Sequence, residues 1–246
     1  GGPRNISGPN HYHILLEEEL ASLHKKEAAL IFTSGWVANM TTLSTLGRML
    51  PDCVILSDAL NHNSMIEGIK NNKAERHIFR HNDPEHLEEL LSQYDKDRPK
   101  LVAFESLYSM DGDIAPIEEF CDICDKYGAL SYIDEVHAVG LYGEHGAGVA
   151  ERDNLMDRLD IIQGTLAKGF GVVGGYIAGS KDFWDFVRSY GTGFIFSTSM
   201  PPSVAAAALA SVKYVRAHDD LRQKHQERAA TLKQRFRDAG LPVMES

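Results

Sequence analysis

Four places in this sequence carry residue types that could do chemistry together. Asp134 ends the apolar run Ala129–Ile133, and His137 follows three residues later. By itself that is a common way to turn a strand into a loop. Lys168 sits in Gly164-Thr165-Leu166-Ala167-Lys168-Gly169-Phe170-Gly171, just beyond another strand-like run. Lysine is ordinarily a solvated surface residue. One framed by Leu166, Ala167 and Phe170 is expected to be desolvated, which lowers its pKa and frees the amine as nucleophile, Schiff-base partner or general base. Thr33-Ser34-Gly35-Trp36 follows a strand and opens a helix, the setting in which backbone amides bind anions. His62, after Asn61 at another helix start, offers an aromatic ring.

Together these residues describe a site for pyridoxal 5'-phosphate. That cofactor needs a lysine for its aldehyde, an acid against its pyridinium nitrogen, phosphate ligands and a partner for its ring face. Competing motifs are weaker. Gly169-Phe170-Gly171-Val172-Val173-Gly174 fits a dinucleotide fingerprint, but Gly175–Gly179 continues as a strand or hairpin where a helix should begin. P-loop, nucleophile-elbow and zinc-protease motifs do not occur. His11-x-His13 has no third ligand indicated, so no metal is expected. Cys121-x-x-Cys124 lies in an amphipathic pattern with no second pair nearby, which reads as core packing. The two glycosylation sequons, at Asn5 and Asn39, carry no meaning in a reducing compartment.

The elements that position these residues alternate. Ala28–Phe32, Val54–Ser57, Arg76–Phe79, Leu101–Ser106, Ala129–Ile133 and Asp160–Gly164 read as strands. Ser34–Leu50, Asn61–Asn71, Pro84–Tyr94 and Pro116–Tyr127 read as helices, with Ser34 and Asp83-Pro84 as caps. Pro201–Arg237 is a long helical region interrupted near His218-Asp219-Asp220 and closed by Gly240. The alternation predicts a mostly parallel sheet with helices on both faces, and ligands beyond the strands' carboxyl ends. Ser57, Glu105, Ser106, Asp134 and Thr165 fall at those ends.

With 246 residues, 43% hydrophobic and 24% charged, the composition is that of one large α/β domain. A formal charge of -10 argues against nucleic acid or an anionic membrane as partner. Three cysteines cannot frame a disulfide scaffold, and no apolar run or targeting segment is seen, so the expected setting is cytoplasmic, of bacterial type. Residues 1–240 are expected to form a cofactor-binding large domain lacking its N-terminal segment. Residues 241–246 are expected to begin a small C-terminal domain.

At these residues the sequence resembles the α-oxoamine synthases, fold-type I pyridoxal-phosphate enzymes that condense an amino acid with an acyl-CoA. The resemblance runs along essentially the whole chain. It rests on Arg4-Asn5-Ile6-Ser7-Gly8, His11-Tyr12-His13, Asn61–Ile66, Ser109-Met110-Asp111-Gly112-Asp113, Asp134–Gly143, Gly164–Lys168 and Gly193–Ser199. Sister enzymes making 8-amino-7-oxononanoate or 2-amino-3-ketobutyrate are similar around the lysine but differ at Arg4–Ser7 and Asp134–Val139. The chain is most similar to the branch that joins glycine to succinyl-CoA with loss of CO2.

The resemblance implies the large domain of a fold-type I transferase, with a mostly parallel, seven-stranded sheet, acting as a homodimer with shared active sites. It implies Lys168 as the residue that holds the cofactor aldehyde and removes the glycine α-proton. Asp134 would keep the ring nitrogen protonated, His62 would stack on the ring, and His137 would bond the phenolic oxygen with Ser109 nearby. Ser34, Gly35, Trp36 and Thr165 would serve the phosphate, with Ser197 and Thr198 reaching the neighbouring subunit's site. Asn5, Ile6, Ser57 and Arg76 are the candidates for substrate contacts.

Three positions depart from the family pattern: Pro3 and Pro9 stand where threonine is usual, and Gly169, a milder change, where alanine is common. In the family this segment contacts the acyl group, so Pro3 leaves another acyl-CoA or amino acid as the alternative. A catalytically silent homologue would lack the lysine, and Lys168 is present.

Overall fold

A computed structural model describes residues 2–244; Glu245 and Ser246, the end of the stretch expected to open a second domain, lie outside the described residues. Among the described residues seven strands form one sheet: β1 (Ala28–Phe32), β2 (Val54–Asp58), β3 (Glu75–Phe79), β4 (Lys100–Glu105), β5 (Leu130–Asp134), β6 (Ile161–Thr165) and β7 (Gly175–Gly179). Their order is β1-β7-β6-β5-β4-β2-β3. Only β7 runs against the others, pairing antiparallel with both β1 and β6. The fold-type I sheet inferred from sequence is therefore present, and the run after Gly174 is its reversed strand.

The helices are α1 (Arg4–Ser7), α2 (His11–Leu23), α3 (Gly35–Met49), α4 (Asn63–Lys70), α5 (Pro84–Leu91), α6 (Ile117–Tyr127), α7 (Val149–Arg152), α8 (Lys181–Tyr190), α9 (Thr192–Ile195), α10 (Pro202–Ala217) and α11 (Asp219–Asp238). Strand periodicity divides them into two layers. Ala29, Ile31, Val54, Leu56, Val102, Phe104, Ile133 and Ile162 point to one side, against α2, α5, α6 and α10. Leu30, Ile55, Leu101, Ala103, Tyr132, Ile161 and Ile177, the alternate residues, meet α3, α4 and α8 on the other. Each such aliphatic side chain contributes about 1.5–3 kcal/mol when fully buried. Near-continuous apolar strands are what a sheet covered on both faces requires.

Caps explain where the helices start. Ser34 Oγ accepts from Val37 N at the head of α3, and an Asp83 carboxylate oxygen accepts from His86 N at the head of α5. Cys121 and Cys124 are buried on α6, in the apolar core, with free thiols. Pro116 precedes α6 without a side-chain cap, and Gly240, at φ +70°, turns the chain after α11. No described helix is long and apolar enough to cross a membrane.

Candidate active site

Because β1, β2, β4, β5 and β6 run the same way, their carboxyl ends and the start of α3 share one edge of the sheet. There a cavity of about 230 Å3 is lined by Gly35, Trp36, Asn39, His62, Ser64, Glu105, Asp134, Val136, His137, Thr165 and Lys168. Asp134 is the last residue of β5 and is buried. Its Oδ2 accepts from Asn39 Nδ2 at 2.7 Å and its Oδ1 from Val136 N at 2.8 Å. No cation bonds it. Burial, and then the nearby Glu105 charge, push its pKa up to about 6.

Lys168 lies in the turn between β6 and β7. Leu166 N donates to Gly174 O, Val172 N to Leu166 O and Gly171 N to Lys168 O. Gly171 at φ +65° and Gly174 at φ +133° occupy conformations that L side chains rarely adopt. The glycines that mimic a dinucleotide fingerprint thus build the lysine's turn, and no helix follows. Leu166 and Phe170 point into the core, leaving Lys168 exposed instead of enclosing it as the sequence suggested. Partial desolvation still lowers its pKa, against the opposing charges of Asp134 and Glu105. Its Nζ contacts His137 Nε2.

His137 Nδ1 is buried without a hydrogen-bond partner, 3.8 Å from Glu105 Oε2. His62 caps α4: its Nδ1 accepts from Ser64 N at 3.2 Å and pairs with Ser64 Oγ at 2.7 Å. With Nδ1 accepting, the neutral ring holds its proton at Nε2. Burial and the neighbouring Lys168 and His137 lower the His62 pKa, although Asp134 opposes them. Asn39 ties both sides of the site together. Its Nδ2 donates to Ser64 Oγ at 3.0 Å as well as to Asp134, and its Oδ1 accepts from Tyr132 at 2.6 Å. Sequence reasoning gave no role to Asn39 or Ser64. The available signal was a polar residue buried mid-helix in α3.

Of the residues singled out from sequence, Gly35, Trp36, His62, Asp134, His137, Thr165 and Lys168 meet in this cavity. Ser34 caps the helix beside it. Thr165 Oγ1 donates to Gly174 O and accepts from Ala167 N. Ser109 sits exposed in the turn after β4 and does not line the cavity. Ser197 and Thr198 lie beside Arg4, Phe194 and Met200, in a separate cleft. Asn5 donates to Arg188 O, and Ile6 is exposed. Ser57 is buried and accepts from Asn61 Nδ2; Arg76 is exposed on edge strand β3. Within one chain, Asn5, Ile6, Ser57 and Arg76 stay outside the cavity. Both ring nitrogens of His13 are already hydrogen-bonded, to Asn10 N and Met200 O. Gly169 leaves no room for a methyl: an added Cβ would come within 2.4 Å of Val139 O, so this departure is not a mild one on this backbone.

A family model described as aminotransferase class I and II matches residues 1–246. The chain belongs to that family. It is 60% identical over 246 residues to 5-aminolevulinate synthase 2 of Cereibacter sphaeroides, covering all of this chain and 60% of that protein. A 5-aminolevulinate synthase of Bradyrhizobium diazoefficiens is 56% identical, again over the whole chain and 60% of the relative. The erythroid-specific mitochondrial form of Danio rerio is 58% identical over 99% of this chain and 42% of its own length. The chain thus spans about 60% of the bacterial relatives' length. Among solved structures, Sphingomonas wittichii serine palmitoyltransferase superposes with a TM-score of 0.95 at 33% identity, covering 100% of this chain and 61% of that one. An 8-amino-7-oxononanoate synthase of Francisella tularensis, at 23% identity and TM-score 0.82, covers 98% and 70% and shares the fold.

This aminotransferase-family chain is pyridoxal-phosphate-dependent, and its cavity fits that cofactor. A buried acid without a cation faces the cavity, a primary amine of lowered pKa stands at its edge, and the N-terminus of α3 opens onto it. His137 adds a buried nitrogen with no partner.

Proposed function

We propose that the chain is the cofactor-binding part of a 5-aminolevulinate synthase, condensing glycine with succinyl-CoA to give 5-aminolevulinate, CoA and CO2. The reaction would supply tetrapyrrole and haem synthesis. The observation that carries the reading is the meeting of Lys168, Asp134, His137 and His62 in one cavity of a chain this similar to such synthases. When bound, pyridoxal phosphate supplies an aldehyde carbon and a protonated ring that takes up carbanion charge.

Each side chain then has a stated task. Lys168 Nζ, of lowered pKa, binds the aldehyde carbon at rest and takes the glycine α-proton during turnover. Asp134, held by Asn39 and the Val136 amide, keeps a proton on the ring nitrogen; its missing cation is then supplied by the ring itself. His62 packs on the ring face with its orientation fixed by Ser64. His137 donates to the phenolic oxygen, and Ser109, which stands outside the cavity in one chain, would have to move toward it to assist. Ser34, Gly35, Trp36 and Thr165 receive the phosphate at the head of α3, with Ser197 and Thr198 contributed across a homodimer. Asn5, Ile6, Ser57 and Arg76 serve the substrates from that same assembly. The setting is cytoplasmic.

Pro3 supports a second reading, an α-oxoamine synthase that takes another acyl-CoA. The deciding assay incubates the whole protein with glycine, the cofactor and a panel of acyl-CoAs. Formation of 5-aminolevulinate from succinyl-CoA at the highest kcat/KM is the expected result. Faster turnover of an uncharged acyl-CoA would establish the second reading instead.

A further inference from the structure

Three loops at the carboxyl edge of the sheet meet on one imidazole. His81 follows β3, and its Nδ1 lies 2.9 Å from Asp58 Oδ1 while its Nε2 lies 2.7 Å from Asp113 Oδ2. The Asp58 side chain has no solvent exposure, and His81 retains 23%. Asn82 doubles the link: its backbone N–H donates to Asp58 Oδ2, and its Nδ2 donates to Asp113 Oδ2. The ring of Tyr108 stands edge-on to His81, with centroids 4.4 Å apart. A neutral imidazole has one N–H and can donate to only one of these carboxylates. Its other nitrogen would then set a lone pair against a carboxylate oxygen. Only the imidazolium satisfies both contacts.

The two carboxylates belong to loops that matter to the site. Asp58 Oδ1 also accepts from Leu60 N, and Asp58 O accepts from Asn61 N. Asn61 in turn bonds Ser57 Oγ and Ala103 O, and the next residue, His62, donates its backbone N–H to Glu105. Asp113 closes the turn after β4: Tyr108 N donates to Asp113 O, and Ser109 lies between them. We propose that His81 is a positioning residue whose imidazolium locks the His62 loop and the Ser109 loop together at the rim of the cavity. The consequence for the cofactor rests on the function proposed above; the lock itself does not.

The ionisable groups around His81 are Asp58 from β2, Asp113 and Tyr108 from the turn after β4, and the Arg80–Asp83 ion pair on its own loop. Burial works against the imidazolium, but its hydrogen bonds to Asp58 and Asp113 and their charges outweigh it, so its pKa is raised. A raised histidine pKa stabilises the fold in full below the unfolded value near 6.5, and that contribution fades as pH rises through the folded value.

The test measures pyridoxal phosphate affinity by absorbance titration of the whole apoprotein, from about pH 6.5 to 9.5, in wild type, His81→Gln and Asp113→Asn. Lys168 titrates alike in all three, so the ratio of variant to wild-type dissociation constants is the readout. His81→Gln should bind about tenfold more weakly near pH 6.5, with the ratio falling to about twofold at the alkaline end. Asp113→Asn can pair with a neutral imidazole, so its affinity should follow a flatter pH profile than wild type. A ratio that stays constant with pH, or an Asp113→Asn profile identical to wild type, overturns the proposal. Thermal melts of the apoproteins over the same range separate the two readings. If wild type takes no cofactor at Lys168, the functional reading fails alone. The lock then stands if the stability gap between wild type and His81→Gln narrows as pH rises, and falls if it does not.

Discussion

Two carboxylates follow one another at the end of β5, and the strand sends them to opposite sides. Asp134 turns toward α3 and the cavity, where one side-chain amide and one backbone amide hold it. Glu135 turns away, toward the loop that leads into α7. There it accepts from Ser106 Oγ, from Val149 N at 3.0 Å and from Ala150 N at 2.8 Å. Neither has a bonded cation among the described residues, and burial raises both, to about 6 and about 7 respectively. The difference lies in what each acid still lacks. Glu135 is satisfied by its own chain, and an added Cβ on Gly148 would strike its carboxylate at 2.4 Å, so nothing else can approach there. Asp134 keeps an open side. Adjacent residues of equal burial thus separate into a structural acid and one awaiting a charged partner.

The largest effect that could break this comparison concerns the amine across the cavity. Lys168→Ala in the whole protein should lower glycine α-proton exchange and turnover by at least about a thousandfold. Its thermal melt should stay close to wild type, because the residue is exposed and, among the described residues, its side chain hydrogen-bonds His137 alone. Near-normal exchange would remove the lysine, and with it the reason for an acid at Asp134.

Asp134→Asn should cost about a hundredfold in kcat and weaken cofactor binding, since the ring nitrogen loses its charged partner. The apoprotein should respond in the opposite sense. A folded pKa of about 6 lies above the ~3.9 of an unfolded chain, so the native state binds the proton more tightly. On this account wild type loses stability as pH rises from about 4 through 6; the asparagine variant lacks that contribution and keeps only the similar one from Glu135. Above pH 6 the apo variant should be more stable, by on the order of 1–3 kcal/mol. An apo variant less stable than wild type at pH 8 would make Asp134 another Glu135.

Glu135→Ala gives the mirror result. Three donors lose their acceptor, which should cost about 2–4 kcal/mol in denaturant melts. Cofactor affinity per folded molecule should change less than threefold or so. A hundredfold loss of affinity with little loss of stability would erase the distinction.

How much of this was legible in the sequence depended on the kind of signal. The inner strands wrote themselves as apolar runs, because a sheet covered on both faces leaves them no polar side; edge strand β3, Glu75-Arg76-His77-Ile78-Phe79, is mostly exposed. Asp134 and Lys168 stood out because a strand tip and a glycine bend are unusual places for an acid and an amine together. The helix α2 went unread, since buried His13 and Glu17 interrupt its apolar stripe. Both are satisfied from far along the chain, Glu17 by Arg4 and Ile31 N and His13 by Met200 O. Missing α8 had less excuse: Ser180 caps it, and Phe183, Phe186 and Val187 recur at helical spacing. Asn39 was visible only as part of a sequon. Its role depends on Tyr132, Ser64 and Asp134, none of them near it in sequence. The strand-tip argument that singled out Ser57 could not show that its side chain is buried, with the hydroxyl accepting from Asn61.

The smallest effect concerns the segment that stays outside the cavity. Pro3 stands just before α1, and its carbonyl accepts from Ile6 N and Ser7 N. Proline can donate no hydrogen bond from side chain or backbone, whereas a threonine there could donate to the distal carboxylate of a succinyl group. A bond to a charged group contributes about 1.5–3 kcal/mol. The structure reduces that figure, because α1 has no side-chain cap. A threonine hydroxyl at this position would be drawn to the free amides of the first turn, as N-cap threonines are. Acting as a cap it accepts, and its own proton remains available to a carboxylate, but its direction is then set by the helix. Pro3→Thr should therefore raise the kcat/KM ratio of succinyl-CoA over butyryl-CoA by about tenfold, at the low end of that range. The same variant should be slightly more stable, by about 0.5–1 kcal/mol. A stability gain with an unchanged ratio would mean that residue 3 only caps α1, and that the acyl carboxylate is read elsewhere.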